Sequence, residues 1–246
     1  MGCNVSKTDC LIIIPAHNEE KNIGSVLEEI RRFGIDLDIL VVNDGSKDQT
    51  EAVVREAGEN VITLPFNLGY GGALQTGFKF ASAWGYKYVI QFDADGQHNP
   101  NNIPDILKWL RTGAYDIVIG SRYLDQSLYK TGLLKKAVIS VFRFLIKIST
   151  GVKITDPTSG LQGLNNRVFT YYSKLGNYPE DFPDADTLIF MLLSRYRVHE
   201  ISALMRERYS GKSMHVGFKT AFYPVKLMVS ILVVLIREKA RIEGAK

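Results

Sequence analysis

Two acids, Asp93 and Asp95, stand two residues apart, followed by Gln97 and His98 and preceded by an apolar run that includes Val89, Ile90 and Phe92. The run reads as a buried strand, so the chain leaves the core directly into two carboxylates. Like charges at that spacing repel unless water, a proton or a cation intervenes, and a hard divalent cation removes the repulsion. Carboxylate and amide oxygens suit Mg²⁺ or Mn²⁺, which commonly bind a few carboxylates together with substrate phosphates. The same residue types also make turns and helix caps, so the acid pair alone leaves both readings open.

The surrounding elements must decide what the acids face. Residues 10–16 form an apolar run, and Asn18, Glu19 and Glu20 predict a cap and first-turn acids for a helix to about Phe33. A second strand over 38–43 ends in Asp44, Gly45 and Ser46, where Ser46 and Gln49 predict a capping box. A third strand over 61–65 leads through Asn67, Gly69, Gly71 and Gly72 into a helix to about Trp84. After the Asp93 strand come a helix over 103–110 and a strand over 116–120. Five alternations of strand and helix with short links predict an α/β fold, a Rossmann-like, mostly parallel sheet covered by helices on both faces. Ligands bind such sheets at the carboxyl ends of the strands, which is where His17, Asn18, Asp44, Asn67, Asp93, Asp95, Ser121 and Arg122 fall.

Several function classes fit poorly. The formal charge of +4 on 246 residues is too mild to argue for nucleic acid. Cys3 and Cys10 do not support a disulfide scaffold or a zinc site. The first βα turn lacks the glycines of a dinucleotide fingerprint, and the loop at Gly69, Gly71 and Gly72 lacks the Gly-Lys-Ser/Thr ending of a P-loop. The polar start of the chain reads as no signal peptide. Met1, Gly2 and Ser6 match the N-myristoylation pattern, with Cys3 available for palmitoylation.

Four blocks carry a resemblance. Ile14, Pro15, Ala16, His17, Asn18 and Glu19, then Asn43, Asp44, Gly45, Ser46, Asp48 and Thr50, then Asn67, Gly69, Gly72 and Ala73, then Asp93, Ala94, Asp95 and Gln97 stand in an order and spacing that resemble glycosyltransferase family 2. The resemblance implies a GT-A fold and an inverting hexosyltransferase with a UDP-, GDP- or dTDP-linked sugar donor and Mg²⁺ or Mn²⁺. By position, Pro15, Ala16, His17, Asn18, Glu19 and Asp44 would hold the base and ribose, with Asn67, Gly69, Gly72 and Ala94 lining the donor site. Asp95 and Gln97 would take the metal. Asp93 would face the donor sugar or ribose and counts as a further metal oxygen. Asp156, Pro157, Thr158, Ser159 and Gly160, and later Arg208, Gly211 and Ser213, are similar to motifs of dolichyl- or polyprenyl-phosphate sugar synthases. That branch implies Asp156 near the catalytic centre, Arg122 and Arg208 on phosphate oxygens, and Ser213 in a loop over the donor. Met214 stands where those synthases usually carry Lys, and Leu161 and Gln162 replace a Phe-Arg pair, so one phosphate-binding Arg is absent.

The acceptor divides the readings. A lipid phosphate is already anionic and needs no strong base, whereas a sugar hydroxyl on a lipid-linked or cell-surface glycan needs a carboxylate, for which Asp184 and Asp186 are candidates. Both acids also fit the cap and first turn of a helix over 187–196. A catalytically silent nucleotide-sugar scaffold is the non-enzyme alternative. Residues 133–149 place Lys136, Ser140, Arg143 and Lys147 on one helical face among apolar residues, which suits a helix in the headgroup region or a core helix with a solvated edge. The apolar stretch within 221–236 falls short of the ~20 residues of a membrane span. It is read as lying on the membrane, re-entering it or packing in a homo-oligomer. The expected organisation is a catalytic domain over 1–215 and an apolar helix with a basic tail over 216–246, peripheral or monotopic at the cytoplasmic face of a membrane.

Overall fold

The computed structural model describes residues 8–34, 36–125, 132–179 and 185–206, the side chains of 133–135 excepted. The expected positions Asp184, Arg208 and Ser213, the N-terminal lipidation pattern and the stretch 221–236 lie outside them. Seven strands are described: β1 (Cys10–Ala16), β2 (Asp38–Asn43), β3 (Asn60–Thr63), β4 (Tyr88–Gln91), β5 (Ile117–Ser121), β6 (Gln162–Asn165) and β7 (Val198–Ser202). They form one sheet in the order β3-β2-β1-β4-β6-β5-β7. Six strands run the same way; β6 runs against its neighbours β4 and β5.

Helices cover both faces because alternate strand residues are apolar and point to opposite sides. Leu11, Ile13, Leu40, Val42, Val89 and Ile119 pack with α3 (Tyr70–Ala83), α5 (Leu133–Thr150), α6 (Asn166–Tyr172) and α7 (Ala185–Leu193). Cys10, Ile12, Ile14, Ile39, Val41 and Ile90 pack with α1 (Ile23–Arg32), α2 (Thr50–Glu56) and α4 (Asn102–Arg111). Helix α1 shows the pattern that drives this: Ile23, Val26, Leu27 and Ile30 are buried at helical spacing. Each such side chain contributes about 1.5–3 kcal/mol over remaining in water.

Four local readings change. Helix α1 is preceded by Asn22, not by a cap at Asn18, because 18–20 are spent on the loop after β2. The Ser46–Gln49 capping box does not form: Asp48 caps Thr50 N at 3.0 Å, and Ser46 Oγ accepts from Asn18 N at 2.9 Å. Helix α7 begins two residues earlier than expected and includes Asp186. Helix α5 forms, and its two open readings narrow: Ile139, Phe142 and Ile146 belong to the core, and among its described side chains the large apolar ones exposed are Val141, Phe144 and Ile148.

Glycines set the closest approaches between layers. A Cβ on Gly163 of β6 would lie 2.2 Å from Ile106 Cγ2 of α4, which is well inside contact distance. Gly163→Ala is expected to destabilise the fold by roughly 1–3 kcal/mol through overpacking. At roughly 2–4 °C per kcal/mol for a chain of this size, thermal unfolding will register the change.

Candidate active site

The site lies at the carboxyl edge of the sheet, where loops after β1, β2, β3, β4 and β5 meet. Beyond β1, His17 and Asn18 are laced to the loop after β2. His17 Nδ1 donates to Asp44 O at 2.7 Å, since a carbonyl can only accept, and this leaves Nε2 to accept from the Asn18 amide at 3.0 Å. Asn18 adopts a left-handed φ of 57°, and its Oδ1 takes Lys47 N at 2.8 Å. Glu19 N reaches Thr50 Oγ1 at 2.9 Å. Asp44 in turn organises the loop before α3: its two oxygens accept Leu68 N at 2.7 Å and Gly69 N at 3.0 Å. Asn67 Oδ1 also takes Gly69 N. Gly45 has a φ of 63° and a Cβ there would sit 2.7 Å from Phe66 C, so this crossing of two loops requires glycine. Gly72 is equally close to Leu68, with 2.7 Å to its Cβ.

Beyond β4 the chain turns within a few residues. Ala94 is buried and anchors the turn, and Gly96 takes a φ of 79°. Asp95 is buried, and its Oδ1 accepts Gln97 N at 3.0 Å, so the half-buried Gln97 sits beside the Asp95 carboxylate. Asp93 accepts from the Tyr70 hydroxyl at 3.0 Å on Oδ1 and from His98 Nε2 at 2.8 Å on Oδ2. Burial opposes ionisation of Asp93. The adjacent His98, the Tyr70 hydroxyl and the Arg122 charge outweigh it and hold the carboxyl below its usual range. His98 also meets Met205 Sδ at 3.1 Å, and Arg206 N donates to Gln97 O at 2.9 Å, so the stretch after β7 braces this turn.

Beyond β5 stands a buried ion pair. Arg122 Nε donates to Asp156 Oδ2 and Nη2 to Oδ1, both at 2.7 Å, and Nη2 also reaches Thr158 Oγ1 at 2.7 Å. Asp156 is fully buried. Its carboxylate is an anchor for Arg122 in this arrangement, and the Arg122 fork is turned inward onto the 156–158 loop. Glu200 of β7 fastens the same loop from below, accepting Thr155 N, Thr155 Oγ1 and Asp156 N, all within 2.9 Å. Reversed β6 brings this loop to the site, because its first residue Gln162 pairs with Gln91 of β4 and Ile119 of β5. Gly160 then lies against Asp93: a Cβ on it would be 2.8 Å from Asp93 Oδ2.

The structure thus brings together His17, Asn18, Glu19, Asp44, Asn67, Gly69, Asp93, Asp95, Gln97, Arg122 and Asp156 at one edge. Asp186 stands in the first turn of α7. That helix leads through residues 194–197 to the amino end of β7, so its first turn lies on the carboxyl side of the sheet. Asp186 is buried, and its Oδ1 accepts Thr187 N at 2.8 Å. Tyr70, Glu200 and Met205 were not anticipated. Tyr70 sits within the glycine loop that drew attention only for its glycines, and Glu200 lies in a strand with no motif around it.

Hard oxygen donors fit a divalent ion at Asp95 and Gln97. Among the described residues no three His, Cys, Asp or Glu side chains converge to hold an ion by themselves, so an ion here would need further oxygen ligands, of the kind a substrate phosphate supplies.

Comparison with known proteins gives this edge a context. Residues 11–172 match the family model described as Glycosyl transferase family 2. An uncharacterised protein of Methanocaldococcus jannaschii is 32% identical over 89% of this chain and 91% of its own length. A UDP-N-acetylglucosamine–dolichyl-phosphate N-acetylglucosaminyltransferase of Methanococcus voltae is 29% identical over 88% of this chain and 94% of its own. Among solved structures, glucosyl-3-phosphoglycerate synthase from Mycobacterium tuberculosis in complex with Mn²⁺ and UDP-glucose superposes with a TM-score of 0.68 at 19% identity, covering 93% of this chain and 79% of that one. The sheet, the carboxyl-edge loops and the matched residues together make this chain a glycosyltransferase, a member of glycosyl transferase family 2.

Proposed function

We propose that the chain transfers a sugar, with inversion, from a nucleotide-sugar donor to a polyprenyl or dolichyl phosphate, with Mg²⁺ or Mn²⁺ bound at Asp95 and Gln97. The observation that carries this reading is the close approach of Gly160, at the end of the Asp156–Gly160 loop, to Asp93, where a Cβ would lie 2.8 Å from Oδ2; it supports a donor site next to that loop. The dolichyl-phosphate acceptor and UDP-linked donor in the name of the Methanococcus voltae relative support it.

In this mechanism the loops around His17, Asn18 and Asp44 hold the nucleotide. Asp93 accepts hydrogen bonds from donor hydroxyls, and its ionised state, favoured by His98 and Tyr70, suits it to do so. An acceptor phosphate oxygen attacks the anomeric carbon from the face opposite the diphosphate. The new C–O bond forms as the bond to the diphosphate breaks, and the electron pair leaves with the nucleotide. A divalent ion held by Asp95 and Gln97 would supply positive charge for that leaving group. Arg122, paired with Asp156, holds the 156–158 loop in place at the same edge.

The acceptor reading also needs the chain at a membrane surface. No helix among the described residues is long and apolar enough to cross one. Helix α5 exposes Phe144 and Ile148 beside Lys136 and Lys147 and carries no acid, which suits peripheral contact with an anionic leaflet at the cytoplasmic face.

The test is turnover by the whole chain with polyprenyl phosphate and a panel of UDP-, GDP- and dTDP-sugars. Release of nucleoside diphosphate together with a lipid-linked sugar phosphate is expected, and consumption of donor only with saccharide acceptors would overturn the reading. The buried Asp186 favours that second reading, a hydroxyl acceptor with a carboxylate base. Asp186→Asn separates the two. We expect its rate with polyprenyl phosphate to stay within about threefold of wild type, whereas loss of a general base costs roughly 10²–10⁴-fold.

A further inference from the structure

The Asp93 carboxylate is held from three sides by three separate segments. Tyr70, the first residue of α3, donates to Oδ1 at 3.0 Å, and His98, five residues further along Asp93's own loop, meets Oδ2 at 2.8 Å. Gly160 closes the third side, where a Cβ would lie 2.8 Å from Oδ2, 3.3 Å from Oδ1 and 3.2 Å from the Tyr70 oxygen. The His98 side chain is 1% exposed and is packed edge-on against Phe92, so it cannot follow a moving partner. The Asp93 side chain keeps 28% exposure. An ionised carboxylate has roughly four lone-pair sites. With one taken on each oxygen, one remains on each, and the pair matches two neighbouring hydroxyls of a sugar ring.

We propose that Tyr70 is a positioning residue of the transfer reaction: with His98 and the side-chain-free backbone of Gly160, its hydroxyl fixes the Asp93 carboxylate so that both oxygens accept from a vicinal diol of the donor. The proposal rests on the functional reading above. Tyr70 needs no contact with the donor itself; it acts by denying Asp93 the rotamers that would turn an oxygen away. Gly160 contributes by its lack of a side chain, because any Cβ there displaces the carboxylate or the tyrosine.

A double-mutant cycle with Tyr70→Phe and Asp93→Ala, read on whole-chain protein by two measurements, tests it. For kcat/KM toward the nucleotide sugar, Tyr70→Phe is expected to lower the value about three- to tenfold in the wild-type background, the worth of one hydrogen bond, and to change nothing in the Asp93→Ala background. Gly160→Ala is expected to lower it at least as far as Tyr70→Phe, again only while Asp93 is present. A loss that persists unchanged without Asp93, or no loss at all, overturns the positioning role, since a merely structural tyrosine would act in both backgrounds alike. The second measurement, the urea midpoint without ligand, separates this from failure of the functional reading. A shift from Tyr70→Phe that disappears with Asp93→Ala is the expected sign of the contact, and equal shifts in both backgrounds overturn the clamp whatever the activity. If the clamp is present in urea but the wild-type chain consumes no nucleotide sugar of the panel, the transfer reading falls and takes the positioning role with it.

Discussion

Asp95→Ala is expected to lower sugar transfer about 100- to 1,000-fold, the scale on which a preorganised stabiliser of leaving-group charge acts. Asp95 is buried just past a strand end, with its Oδ1 on the Gln97 amide, so its carboxylate is shielded from bulk water and a charge interaction there is strengthened. The folded state should survive, because the turn keeps Ala94, Gly96 and the brace from Met205 and Arg206. Initial rates against Mn²⁺ concentration and Mn²⁺ binding followed by electron paramagnetic resonance check the two halves of the expectation. Transfer at the normal rate and normal metal dependence in this variant would sink the metal assignment.

Arg122→Ala should produce the largest loss of stability, about 3–5 kcal/mol, because it leaves a fully buried carboxylate without its cation. Asp156 loses two short side-chain bonds, and Thr158 loses the donor to its hydroxyl and carbonyl. The backbone amide of residue 122 still donates to Asp156 Oδ2, Arg143 Nε still holds Thr155 O, and Glu200 still grips the amides of Thr155 and Asp156, but none of these bonds gives the Asp156 carboxylate a cation. Chemical denaturation measures the cost. The double variant Arg122→Ala/Asp156→Asn should recover part of it, since a neutral amide is far cheaper to bury than an unpaired charge. A single-variant loss below about 1 kcal/mol would mean that water reaches Asp156, contrary to its complete burial.

These two residues also mark how far the sequence could be read. Asp95 was legible because its function needs only local chemistry: an oxygen donor at the end of an apolar strand, followed by Gln97. Arg122 and Asp156 were both placed near the centre, yet their mutual commitment was not visible, because 34 residues separate them and their meeting depends on β6 entering between β4 and β5. That strand, Gln162–Asn165, is four residues with one buried leucine and one buried glycine, too short and too weakly patterned to announce itself or its direction. Helix α5 stayed open between two readings for a different reason. Its periodicity was correct, but apolar residues occur on two of its sides, and only packing against α7 and the sheet decides which of them is core.

By itself the sequence determined the alternation of strands and helices, the identity of the strand-end residues and the kinship that their order implies. Those features rest on periods of two and 3.6 residues and on turn chemistry, all of which act between near neighbours. Tertiary structure alone decided that Tyr70 and His98 grip Asp93, that Asp156 spends its charge on Arg122, and that Glu200 holds the loop between them. The physical reason is that a buried charged or polar group must find its partner from whatever the fold brings within about 3 Å, and that partner is set by sheet order and register, which no local pattern encodes.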